Sequence, residues 1–325
     1  MRTVLASKAR PTVPWRARRA GEDYGVSAEP NWRGVDWRAH LHQVEIDGAR
    51  VNYVDIGEGD AEPVVVVHGL SGQWQNWLEN IPNIAQSRRV LALDLPGHGA
   101  SEMPREQISI PGYGHCVESF CDRLELGPVA MVGNSMGGFV ASEVAIQQPE
   151  RVERLTLVSA AGISTTNVFR MPTRTVGRMA SALLTYTAAR QKRLAMRPGT
   201  RHMALAMVAR YPGRLKADLA WEGFMTGAGK SGFEDAFRAS LEYDFRHRLT
   251  EIGCPTLIVW GENDSVITVN DAHKFHELIP DSRKLVMKET GHVPMAERPT
   301  AFNEALRDFL SEAGEASEQE KREAA

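Results

Sequence analysis

The run VAMVGNSMGGFV, from Val129 to Val140, constrains the fold more than any other stretch of the chain. Small and β-branched residues suited to a strand lead straight into Gly133-Asn134-Ser135-Met136-Gly137, and residues of helical character follow. A core strand has no use for a polar serine at its crest, and a linker does not need glycines placed on both sides of it. The pattern fits a G-x-S-x-G strand–turn–helix, so tight that side chains at the flanking positions would strike neighbouring backbone. Such a turn presents its serine at the carboxyl end of a sheet, where open α/β folds place their ligands. The competing reading is a Gly-rich turn whose serine only caps the helix.

That strand needs neighbours, and the chain supplies them. HQVEID and RVNYVDIG, joined at Gly48-Ala49, predict a hairpin. PVVVVH, RVLALD, VAMVG and RLTLVSA are apolar runs separated by segments of helical spacing: Trp74 to Ala85, PGYGHCVESFCDRLEL, and MGGFVASEVAIQQ, which stops at Pro149. Apolar runs without polar alternation, separated by helices, indicate a parallel sheet buried on both faces. The alternation breaks near Ile163 and resumes at PTLIVWG, followed by a helix over 269–279, the strand RKLVMK and a last helix near 300–310. The expected layout is an α/β core over 41–162 and 251–312, mostly parallel sheet flanked by helices, with a helical cap inserted at 163–250. Residues 1–40, rich in Arg, Pro and Trp, are expected to lie over the surface or to be partly disordered. Residues 313–325 read as a solvated tail.

Ser135 is a poor nucleophile unless a base takes its proton. Beyond the insertion, PTLIVWG runs into Glu262-Asn263-Asp264 and RKLVMK runs into Glu289-Thr290-Gly291-His292. Both loops fall at the sheet edge expected for Ser135. His292 is the candidate base and Asp264 the acid that holds its ring and stabilises the imidazolium. Glu262 is a rival, but it sits nearer the strand and its longer side chain suits the reach less well. His98, in the turn PGHG, reads as structural, and His115 falls within a helix. For the negative oxygen formed on attack, the Gly-rich loop His68-Gly69-Leu70-Ser71-Gly72 offers the Leu70 N–H, to converge with that of Met136.

The net charge of -3 gives no reason to expect nucleic acid as a partner. Three cysteines in 325 residues form no disulfide framework, and Cys116 and Cys121 read as small buried hydrophobes. No apolar run spans a membrane, and no apolar segment follows the basic N-terminus as a secretory signal requires, so cytoplasmic residence is expected.

The stretches HGLSG, DLPGHGAS, GNSMGG, WGENDSVI and GHVPMAERP, spread over residues 68–300, resemble the α/β-hydrolase superfamily. Within it the chain is similar to the capped hydrolases typified by bacterial carboxylesterases and meta-cleavage C–C hydrolases. The resemblance implies an α/β-hydrolase fold with Ser135, Asp264 and His292 catalytic, acting without metal or cofactor. It argues against epoxide hydrolases and haloalkane dehalogenases, which carry an aspartate where Ser135 stands. C–C hydrolases generally have a longer H-G-x-G-P-G loop, whereas this chain reads His68-Gly69-Leu70-Ser71-Gly72-Gln73. A small-molecule ester with apolar groups is therefore the expected substrate. C–C bond hydrolysis is the alternative, and a hydrolase-like receptor that binds without turnover is a third reading.

From Ile163 to Ala217 the chain has eleven basic residues and no Asp or Glu, and Val176, Met179, Leu183 and Leu184 follow helical spacing. A lid with a solvated Arg face and an apolar face on the sheet accounts for this. The sharper expectation is peripheral contact between this basic cap and an anionic lipid surface, or an acidic ester.

Overall fold

The computed structural model describes residues 19–164, 192–227 and 230–323. Eight strands form one sheet in the order β1-β2-β4-β3-β5-β6-β7-β8. β1 (Leu41–Ile46) and β2 (Ala49–Ile56) pair antiparallel, with Ile46 opposite Ala49. The turn is Asp47-Gly48, both at positive φ (50° and 74°), as a two-residue hairpin turn of this hand demands. Ala49, expected within the turn, is the first residue of β2.

β2 pairs antiparallel with β4 (Val90–Leu93), and from there every pairing is parallel, through β3 (Val64–Val67), β5 (Val129–Asn134), β6 (Val152–Val158), β7 (Thr256–Gly261) and β8 (Ser282–Met287). Every residue of β3, β4, β5 and β7 is buried, which is why these strands read as unbroken apolar runs. β3 is flanked by β4 on one side and β5 on the other. The strand order reverses there, the position at whose carboxyl ends open α/β sheets place their ligands.

α1 (Ile110–Arg123) starts where the Ser109 hydroxyl accepts the Gly112 N–H, with Pro111 in its first turn. α2 (Met136–Gln147) is buried from Met136 to Ile146 and ends before Pro149. These helices pack on one face of the sheet with Phe245 and Phe275. The second core, on the other face, joins Trp74, Trp77 and Phe302 to Ala20, Tyr24 and Trp32 of the N-terminal arm and to Leu205, Tyr211, Leu219 and Met225 of the insertion. The helix expected from Trp74 to Ala85 is instead two single turns, Trp74–Trp77 and Ile81–Ile84. Pro82 has no N–H to continue a helix through this stretch.

Within the insertion lie α3 (Pro198–Ala204), a π-helical turn (Ala220–Met225) and α4 (Phe233–Glu242). The expected helix carrying Val176, Met179, Leu183 and Leu184 falls outside the described residues, as do Arg170, Arg174, Arg178 and Arg190. After the insertion come α5 (Asn270–Leu278) and α6 (Pro299–Glu323). Among the described residues no helix is long and apolar enough to cross a membrane.

From Arg19 onward the N-terminal arm is seated against the rest of the chain. The buried Glu79 carboxylate accepts from Ser27 Oγ, Ala28 N–H and Trp32 Nε1, each at 3.0 Å. Arg33 reaches the insertion with a two-pronged bond to Asp218, at 2.5 and 2.6 Å.

Candidate active site

Ser135 sits between the end of β5 and the start of α2 with φ 56° and ψ −118°. A non-glycine residue held there stores on the order of 1–3 kcal/mol of strain, which the surrounding structure must override. The glycines around it make the turn feasible. A Cβ on Gly133 would lie 2.2 Å from the Gly137 carbonyl oxygen, and one on Gly137 would lie 2.3 Å from that of Val67. The Ser135 N–H donates to Val158 O and its carbonyl accepts from Ala161 N, both at 2.9 Å, which anchors the turn to β6.

Asp264 and His292 meet directly, Oδ2 to Nδ1 at 2.7 Å, with the Asp264 side chain fully buried and that of His292 6% exposed. The other Asp264 oxygen, Oδ1, accepts from the N–H groups of Val266 and Ile267 at 2.8 and 2.9 Å. These bonds compensate the buried charge and fix the carboxylate plane. Nδ1 is thereby committed as the donor to Asp264, leaving Nε2 as the ring nitrogen available as a base. Glu262 is not part of this pairing: among the described residues its carboxylate accepts only a long bond, 3.4 Å, from Glu289 N–H.

The histidine loop is tied to the serine turn through Asn134. Its side-chain amide donates to Val158 O (3.0 Å) and to the main-chain carbonyl of His292 (3.3 Å). Among the described residues no hydrogen bond joins Ser135 Oγ to His292. Such catalytic bonds often tighten only once substrate is bound.

The loop after β3 approaches the same point: a Cβ built on Gly69 would lie 3.1 Å from the Ser135 Cβ. Met136 opens α2, where first-turn N–H groups have no intrahelical acceptor. No acceptor takes the Leu70 N–H among the described residues. Beneath this loop, the His68 ring is fully buried, with Nδ1 2.7 Å from Gly69 O and Nε2 accepting from Leu95 N–H at 3.0 Å. Burial pushes its pKa down to about 4, so the ring is a neutral strut. His98 is likewise buried, against His68 and Tyr113, and burial together with His68 lowers its pKa to about 3. The turn PGHG is structural in this sense. His115 lies apart from the site, exposed, 3.7 Å from Asp47.

The insertion grips both halves of the site by its main chain. Val208 O accepts the His292 N–H and Met207 O accepts the Ser265 hydroxyl, both at 2.8 Å. On the other side, Gln73 donates to Glu222 O at 3.0 Å and Asn76 donates to Gly223 O, so the π-helical turn sits on the loop that carries Leu70. Sequence reasoning missed these contacts, because a backbone acceptor leaves no mark in residue type. It also passed over Glu297, a carboxylate within GHVPMAERP that turns out to be fully buried. A charge in the midst of an apolar turn was the available signal. Among the described residues no group of three or more His, Cys, Asp or Glu is placed to hold a metal ion.

Residues 62–299 match the family model described as the alpha/beta hydrolase fold. The chain is 30% identical over 284 residues to the 2-hydroxy-6-oxo-2,4-heptadienoate hydrolase of Pseudomonas putida, covering 81% of this chain and 94% of that one. Among solved structures it is similar to a bacterial membrane phospholipase A described as a virulence factor (26% identity, TM-score 0.65, 83% and 85% of the two chains). It is also similar to a meta-cleavage product hydrolase from Pseudomonas fluorescens (25% identity, TM-score 0.67, 84% and 98% covered).

Proposed function

The chain belongs to the α/β-hydrolase fold family, and on that premise we propose that it is a serine hydrolase cleaving carboxylic esters with apolar acyl or alcohol groups. The observation that carries this reading is the buried Asp264–His292 pair at 2.7 Å, tied through Asn134 to the strained turn that presents Ser135. In the proposed reaction Ser135 Oγ adds to the ester carbonyl while His292 Nε2 takes its proton. Asp264 holds the Nδ1–H and stabilises the imidazolium. The N–H groups of Leu70 and Met136 receive the negative oxygen; losing one such donor costs about 3 kcal/mol of transition-state stabilisation. The imidazolium then protonates the departing alcohol. Water, activated by the same ring, hydrolyses the acyl-enzyme and returns Ser135 to its free form.

Two features favour esters over C–C bond cleavage. An ester needs only the parts just described, and the loop His68-Gly69-Leu70-Ser71-Gly72-Gln73 is short. The similarity to a meta-cleavage product hydrolase keeps C–C cleavage as the second reading. Turnover of p-nitrophenyl esters against turnover of a ring-fission dienoate separates the two. A fluorophosphonate probe should label the wild-type protein and not Ser135→Ala. A folded wild-type protein that stays unlabelled would favour a non-catalytic receptor instead.

We further propose a peripheral lipid contact through the cap. Met196 and Met203 are 48% and 62% exposed there, beside the exposed Lys192, Arg193 and Arg197. Apolar side chains ringed by cations suit an anionic interface. Sedimentation with liposomes should retain the protein only when anionic lipid is present; equal binding to neutral liposomes, or none to either, removes the idea.

A further inference from the structure

Glu297 is fully buried, and among the described residues no Lys or Arg pairs with its carboxylate. It is held instead by neutral donors from three separate parts of the chain. The N–H groups of Gly291 and Val293, on either side of His292, reach Oε1 at 2.9 and 3.3 Å. Arg210 N–H, from the cap, reaches Oε2 at 2.7 Å. The hydroxyl of Tyr24, from the N-terminal arm, donates to the same Oε2 at 2.6 Å. Tyr24 also accepts the Tyr211 N–H at 2.8 Å, with its ring edge-on to that of Tyr211 at 5.3 Å.

We infer that Tyr24 is a positioning residue for His292, acting through the Glu297 carboxylate. This rests on the reading of His292 as the catalytic base. A buried carboxylate keeps its place only while its lone pairs are satisfied. Without the Tyr24 hydroxyl, Oε2 loses its shortest donor and Tyr211 loses its acceptor. Burial already raises the pKa of Glu297 and the surrounding donors oppose that rise, so losing one favours the protonated form. A protonated carboxyl can turn a donor toward the N–H groups that flank His292. The ring then shifts against Ser135 while the substrate-binding surfaces stay in place. The carboxylate lies within the stretch matched to the family, residues 62–299, whereas Tyr24 lies outside it.

The experiment uses the full-length chain and compares wild type, Tyr24→Phe, Glu297→Gln, the double variant and Arg33→Gln. Ester turnover, the rate of fluorophosphonate labelling and thermal unfolding are followed for each. Tyr24→Phe should lower kcat and the labelling rate by about tenfold or more with KM changed less than about twofold, since small misplacement of a catalytic group costs rate rather than binding. Arg33→Gln removes the arm-to-cap ion pair with Asp218 together with the guanidinium contacts to Ser27, Asn31 and Glu79, touches neither Tyr24 nor Glu297, and should leave kcat unchanged. The double variant should lose no more than Glu297→Gln alone. Wild-type kcat in Tyr24→Phe, an equal loss in Arg33→Gln, additive losses in the double variant, or a Tyr24→Phe protein with no cooperative melt would each overturn the inference. A wild-type protein unlabelled at Ser135 would sink the serine-hydrolase reading itself, an outcome distinct from labelling that is indifferent to Tyr24.

Discussion

The side-chain amide of Asn134 donates to the main-chain carbonyl of His292 at 3.3 Å, so the residue beside the candidate nucleophile holds the loop of the candidate base. The same amide bridges to Val158 O at 3.0 Å, which ties the ends of β5, β6 and the histidine loop together. Asn134→Ala should leave the His292 carbonyl without this donor, while Val158 O keeps the Ser135 N–H, costing about 1–3 kcal/mol of stability, and should lower kcat more than it raises KM. Urea unfolding and steady-state ester kinetics on one preparation check both parts. Unchanged kcat would mean that other contacts locate His292.

Asp264→Asn keeps the shape of the side chain but removes the charge that stabilises the imidazolium and the acceptor that selects its tautomer. A fall in kcat of about 10⁴-fold is expected, as for the equivalent change in serine proteases, with little change in melting temperature. Glu262→Gln, which leaves the Asp264–His292 bond alone, should stay within about twofold of wild type on the same logic. The reverse ranking would move the acid role to Glu262.

Gly137→Ala should be severely destabilising. The added carbon would meet the Val67 and His68 carbonyl oxygens at 2.3 and 2.5 Å, and main-chain atoms in a central sheet have nowhere to go. A loss of about 3 kcal/mol or more, or insoluble protein, is expected. Gly127→Ala, where nothing lies within 4 Å of the new carbon, is the control and should be near neutral. Equal denaturation midpoints for the two variants would contradict the packing described for the turn.

Two buried histidines set a pH dependence of stability. His68 and His98 have pKa values lowered to about 4 and about 3, against an ordinary 6.5. Below about 6.5 the unfolded chain takes up protons that the native rings refuse, so stability falls with pH, and each ring contributes about 1 kcal/mol of loss between pH 7 and 5.5. The buried carboxyls of Asp94, Asp271 and Glu297 are raised and act with the opposite sign. The rings are therefore best read singly. Imidazole nitrogen shifts of the folded protein should keep the neutral pattern for both at pH 5, and a protonated pattern for either would contradict the burial argument.

The parallel sheet and the tight turn at Ser135 were legible in the sequence because their signals are short-range. Apolar runs mark buried strands, glycines mark backbone that approaches too closely for a Cβ, and loops at strand ends carry the polar residues. The Trp74–Ala85 stretch misled because its helical spacing outweighed the missing N–H of Pro82, a one-residue effect that periodicity averages away. The hairpin turn was placed one residue late for a similar reason, since Asp47 takes its positive φ only in the context of the turn.

By itself, then, the sequence determined the fold class, the crest serine and the order in which the candidate partners follow it. Tertiary structure decided which carboxylate meets the imidazole, that the cap holds the histidine and Leu70 loops by main-chain carbonyls, and that the arm reaches Glu297. The reason is physical. Strand, turn and helix preferences act over a few residues, whereas Tyr24 and Glu297 stand 273 residues apart. Such partners are chosen only when the sheet closes, the cap seats, and buried polar groups must find whatever donors the folded surroundings place beside them.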